Sequence, residues 1–196
     1  MSHAMKAEAP GALPRFTPLH PLFAVRCDGL DLRHPLTRAQ AEAVEAAMDR
    51  YAVMVFPAQQ IDDDLQLAFG RNFGEVEAVP SLVDQSRRRL PEYRRQRQMC
   101  IRDSMGSGRL SLYLSAHLGA IHGMPRPEAM ALVRELTEFA TQRQFVFAHE
   151  WQPGDMVMWD NRCTMHRARP FADKKHPRDM RRVTLADVGP TLEQPA

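Results

Sequence analysis

The spacing of apolar positions changes several times along the chain, and each change marks an element. Residues 51–56 (Y-A-V-M-V-F) form an unbroken apolar run closed by Pro57, the pattern of a buried strand. Ahead of it, Val44, Ala47 and Met48 recur at helical spacing, and Thr37 with Gln40 makes a capping box, predicting a helix through about Arg50. Beyond it, Asp62 precedes a stripe of Leu65, Ala68 and Phe69, a second helix that Gly74 is expected to end. Residues 21–32 read as strand with Gly29 at a bulge or turn, and the Ala/Pro-rich residues before about Pro18 are expected to fray. Residues 110–116 (L-S-L-Y-L-S-A) alternate like a strand after a turn at 106–109. An amphipathic helix is predicted over 125–142, with Met130, Val133, Leu136, Phe139 and Ala140 inward, and a strand over 145–149.

The last stretch, 151–188, carries the candidate chemistry. Pro153-Gly154-Asp155 predicts a tight turn, Met156 to Trp159 a short strand, and Asp160-Asn161 another turn. His166 follows. Arg178 and Arg182 lie beside a second strand-like run, 182–188, and in extended chain a spacing of four puts both on one face. Imidazole is a good ligand for iron or zinc, and guanidinium forks onto a carboxylate or sulfonate. By residue type alone, a loop histidine is more often hydrogen-bonded than metal-bound, and tail arginines are usually solvated. His149-Glu150 begins like a zincin motif, but no H-E-x-x-H follows.

Composition narrows the field. A chain of 196 residues allows one domain with a genuine core. A formal charge of +2 gives no field favouring nucleic acid or a membrane, and no segment approaches the ~18 apolar residues of a spanning helix. Cys27, Cys100 and Cys163 are far apart without C-x-x-C spacing, which argues against a disulfide framework and for a reducing, cytoplasmic setting. Residues 86–104 differ from the rest, with seven arginines and no clear period. A nucleic-acid patch is disfavoured, since one aromatic, Tyr93, and no binding motif accompany them. A solvated loop and an artificial join remain.

W-x-x-G-D-x-V-M-W-D-N-R-x-x-x-H-x-A/G-R, followed by R-x-x-x-R-x-T, resembles the C-terminal signature of the iron(II)/2-oxoglutarate dioxygenases of the TauD/TfdA family, nearest the aryloxyalkanoate (2,4-D) branch. The early elements, L-H-P-L-F, V-M-V-F-P and A-F-G-R-N-F-G, are also similar to that branch. The resemblance implies an α+β chain with a double-stranded β-helix, a cupin-like jelly roll flanked by helices, over residues 19–188, between a disordered N-terminus, 1–18, and a tail, 189–196. It implies Fe(II) and 2-oxoglutarate as cofactor and co-substrate. It also implies hydroxylation of a small anionic aryloxyalkanoate or sulfonate, giving succinate and carbon dioxide. By motif, His166 corresponds to the distal iron ligand, Arg178 to the partner of the 2-oxoglutarate carboxylate, and Arg182 to the binder of the substrate anion. His117 matches a histidine near the substrate carboxylate, with a backbone-bonded loop residue as the equal alternative. Nucleic acid and membrane partners are not expected; self-association as a homo-oligomer is left open.

The chain departs from that pattern in its middle. The family places several strands and an H-x-D motif there, and none of the eight histidines here begins H-x-D or H-x-E. Two of three iron ligands are therefore missing. Residues 95–104 (R-Q-R-Q-M-C-I-R-D-S) resemble translated sequencing-adapter text. The expectation is two pieces of one gene joined near 86–104, an incomplete jelly roll, and no turnover. A non-catalytic fragment or assembly chimera, and a small-anion binder keeping Arg178 and Arg182, stand beside the dioxygenase reading.

Overall fold

The computed structural model describes residues 11–77, 101–103, 110–112, 114–115, 118–170 and 180–186. It divides into two compact units: Met1–Val76 with Phe147–Asp160, and Glu77–Val146 with Asn161–Ala196.

The first unit is a four-stranded mixed sheet with two helices. Strands β1 (Arg15–Pro18), β2 (Val25–Asp28), β3 (Val53–Phe56) and β6 (Met156–Trp159) lie in the order β1-β2-β3-β6. The β1–β2 and β3–β6 pairs are antiparallel, and β2–β3 is parallel. A parallel pair needs a crossover, which helix α1 (Arg38–Tyr51) provides. Its capping box is as predicted: Thr37 Oγ1 accepts from the Gln40 amide, and Gln40 Oε1 accepts from the Thr37 amide. The helix keeps Tyr51, and Ala52 turns the chain at φ 59°, so β3 starts at Val53 rather than at Tyr51. Helix α2 (Asp63–Gly70) is capped by Asp62, as predicted, but stops four residues before Gly74.

Alternation decides the core. Val25 and Cys27 of β2 and Met54 and Phe56 of β3 are buried with Val44 and Ala47 of α1 and Phe69 of α2, and Met156 and Met158 pack on this cluster. Phe69 meets Phe56 edge-on at 5.4 Å. Burial of a side chain such as Phe56 contributes about 1.5–3 kcal/mol. Two expectations fail here. Residues 15–18 are an edge strand rather than frayed, because β2 offers them a full ladder from Arg15↔Asp28 to Pro18↔Val25. The strand expected over 21–32 shrinks to Val25–Asp28, because buried Gln59 takes the next segment out of the ladder, accepting from Leu32 N–H and donating to the Leu30 carbonyl.

In the second unit, β4 (Ile101–Asp103) pairs antiparallel with β5 (Leu110–Leu112). Ile101 to Asp103 therefore have regular structure, which the charge-rich reading of 86–104 missed. The rest of that stretch and the turn at 106–109 lie outside the described residues. Helix α3 (Arg126–Ala140) matches the prediction to within two residues and buries Ala129 and Val133. Phe139 is exposed instead of inward and rests on Phe145 at 5.2 Å. A 3-10 turn, Arg143–Phe145, begins the segment expected to be a strand at 145–149, and no strand forms there. Residues 180–186 form no regular strand; the Glu77 amide donates to the Thr184 carbonyl at 2.9 Å. The described residues thus show α+β character, with a four-stranded mixed sheet and a two-stranded hairpin.

Candidate functional site

The motif region is built on the turn that leads into β6. The Asp155 amide donates to the Gln152 carbonyl at 3.0 Å, with Pro153 and Gly154 at the centre and Gly154 at φ 84°. Proline at the second place and positive φ at the third are the marks of a type II turn. Glycine is required twice over, because a Cβ at Gly154 would also lie 2.8 Å from Gln60 Nε2 and 3.1 Å from the Gln59 carbonyl. The Gly154 carbonyl accepts from the Gln59 amide at 2.6 Å. Asp155, with its side chain 6% exposed, accepts from His149 Nε2 at 2.9 Å, the Gln152 amide at 3.0 Å and the Ala58 amide at 3.3 Å. The conspicuous G-D of the motif therefore fastens β6 to the end of β3. Its carboxylate is spent on structure. The sequence reading passed over His149 and Asp155 as partners; their only signal was the G-D itself.

A hollow of about 330 Å³ opens beside this fastening, lined by Leu19, Val55, Pro57, Phe147, Arg26 and His149 among others. Three of its polar side chains are already engaged: Asp155 by three donors, one of them His149, and Arg26 through Nε to Asp28 at 2.9 Å. It contains none of the residues the motif assigns.

At the far end of β6, the Asp160 amide donates to the Ala52 carbonyl at 2.9 Å. A turn over residues 161–163 follows, and His166 lies exposed three residues later. Arg182 is exposed in the same unit as His166. Arg178 and His117 lie outside the described residues. Among the described residues, no three His, Cys, Asp or Glu side chains form a group able to hold a metal ion. Among the described residues the donor set of a mononuclear iron oxygenase is not assembled, and none of the eight histidines in the sequence begins H-x-D or H-x-E.

The pattern of the taurine catabolism dioxygenase TauD, TfdA family matches in two stretches, residues 15–90 and 83–184. The chain belongs to the TauD/TfdA family. It is 26% identical to the alpha-ketoglutarate-dependent 2,4-dichlorophenoxyacetate dioxygenase of Cupriavidus pinatubonensis, over 87% of this chain and 96% of that protein. A Burkholderia xenovorans structure described as an alpha-ketoglutarate dependent 2,4-D dioxygenase is 32% identical, with a TM-score of 0.77 over 89% of this chain and 98% of that one. The structure of AAD-2 with Mn(II) and N-oxalylglycine is also 32% identical, with a TM-score of 0.75 over 90% and 99%. As a TauD/TfdA member, the chain is a 2-oxoglutarate-dependent oxygenase by descent. No described helix is long and apolar enough to cross a membrane.

Proposed function

We propose that the chain derives from an Fe(II)/2-oxoglutarate dioxygenase that hydroxylates a small anionic substrate, an aryloxyalkanoate carboxylate ahead of a sulfonate, and that it is inactive as written. The observation that carries this reading is the motif running from Trp151 to His166, joined to the missing H-x-D. In it His166 is the one remaining iron donor, Arg178 forks onto the distal carboxylate of 2-oxoglutarate, Arg182 binds the substrate anion and His117 lies beside that anion. The fold is then an incomplete double-stranded β-helix, of which the four-stranded sheet is a part. A cytoplasmic setting fits Cys27 and Cys163, neither of which is held in a disulfide.

Loss of an outer-shell partner alone lowers metal affinity by ~10–100-fold, so loss of two direct ligands removes useful iron binding. Purified chain given Fe(II), ascorbate, 2-oxoglutarate and phenoxyacetate is expected to form no succinate above an iron-free blank. Iron-dependent succinate would overturn the inactive reading. The exposure of Arg182 favours a second reading, binding of a small carboxylate without iron. Calorimetric binding of phenoxyacetate by iron-free chain, lost in Arg182→Gln, would establish it.

A further inference from the structure

We infer that this chain is the two flanks of one dioxygenase joined over the loss of a single internal segment, and that its first unit keeps those flanks in their native arrangement, able to take the segment back between residues 77 and 110. The inference rests on the family reading and adds that the loss is one internal segment and that the first unit remains intact around it. The alignment to the Cupriavidus relative spans 278 positions, although this chain has only 196 residues, so at least 82 positions have no counterpart here. It reaches 96% of that relative, so the missing positions are internal rather than terminal. The family match itself restarts, ending at residue 90 and beginning again at 83. One continuous pattern would not restart. The absent iron donors fall in the same place, since the family carries H-x-D in its middle.

The structure distinguishes a deletion from a fusion of unrelated pieces. Strand β3 lies before the seam and β6 after it, yet four consecutive pairs, from Val53↔Trp159 to Phe56↔Met156, are in register. Met156 and Met158 complete the core around Met54 and Phe56, and Gly154 fits against Gln59 and Gln60 with no room for a Cβ. A slip of one residue would turn every β6 side chain to the opposite face, so such a fit marks segments shaped beside each other. The seam lies in the connection between β3 and β6, and closure entropy grows only with the logarithm of its length. Lengthening that connection by at least 82 residues therefore leaves the pairing almost undisturbed.

The test is to replace residues 78–109 of the full chain with the uninterrupted corresponding segment of the Cupriavidus relative, and to titrate parent and graft with Mn(II) in the presence of N-oxalylglycine. The graft is expected to bind Mn(II) at least tenfold more tightly than the parent, and to lose that gain on His166→Ala. A graft that unfolds cooperatively but binds Mn(II) no better than the parent would overturn the inference. If the graft does not fold, the chromosomal DNA decides. At least 82 further codons between those for Glu77 and Leu110 support the inference, and a gene that encodes residues 77–110 as written overturns it. A graft that binds Mn(II) but leaves phenoxyacetate untouched supports the inference while removing the substrate reading.

Discussion

At Gly154, backbone and packing demand the same residue. Gly154→Ala would force a Cβ into positive φ and against the Gln59 carbonyl at 3.1 Å, a strain costing about 1–3 kcal/mol. Urea denaturation followed by tryptophan fluorescence is expected to show the midpoint falling without a change in slope. Cys27 offers a second residue-scale check. Burial, with a smaller effect of Asp28, pushes its thiol up to about 12, so at pH 8 only about one molecule in ten thousand carries the thiolate. Iodoacetamide at pH 8 should therefore label exposed Cys163 and spare Cys27 until denaturant is added, with peptide mass spectrometry as the readout. Labelling of both at similar rates would contradict the burial of β2. Asp31 shows the opposite shift, held down to about 2 chiefly by the hydrogen bond from Arg33. Its contribution is present above about pH 4 and is lost as pH falls towards 2, but solvent and salt screen so exposed a pair.

Among the elements, α1 is the one whose beginning is written most plainly, and its end the least. Thr37 and Gln40 satisfy two otherwise orphaned amides, and Thr37→Ala is expected to cost about 1 kcal/mol by thermal or urea unfolding, with Thr37→Ser recovering most of it. The end at Tyr51 depends on Ala52 adopting φ 59°, where its amide donates to the Met48 carbonyl at 2.8 Å. No residue at 51–53 signals this. The apolar run therefore read as a strand from Tyr51, while the ladder with β6 could begin only after the turn. The lost strand at 145–149 has a similar cause: alternating Phe145, Phe147 and His149 suits a strand, but Phe145 ends a 3-10 turn and His149 is drawn to Asp155.

For the whole chain, the decisive comparison is with the family it belongs to. A ligand that binds only the folded state raises stability by RT ln(1 + [L]/Kd), about 2.7 kcal/mol at a hundredfold excess over Kd. An intact site would therefore raise Tm when Mn(II) and 2-oxoglutarate are added together. This chain is expected to melt at the same temperature with or without them, by differential scanning fluorimetry. A rise of several degrees that needs both ligands would mean that the donors come from elsewhere, for example from a second copy of the chain.

What the sequence determined by itself was whatever depends on neighbours along the chain. The caps Thr37 and Asp62, the Pro153-Gly154 turn, the helix at 126–140 and the motif that places this chain in its family all rest on residues a few positions apart. The tertiary structure decided what depends on partners far away in sequence. Arg15–Pro18 became a strand only because β2 accepted its ladder, and β3 was bounded by Ala52 and by β6 from a hundred residues later. Asp155, read from the sequence only as part of a turn, was claimed by Ala58, Gln152 and His149. A carboxylate's role follows from the donors that reach it, and local sequence does not specify donors brought from another strand.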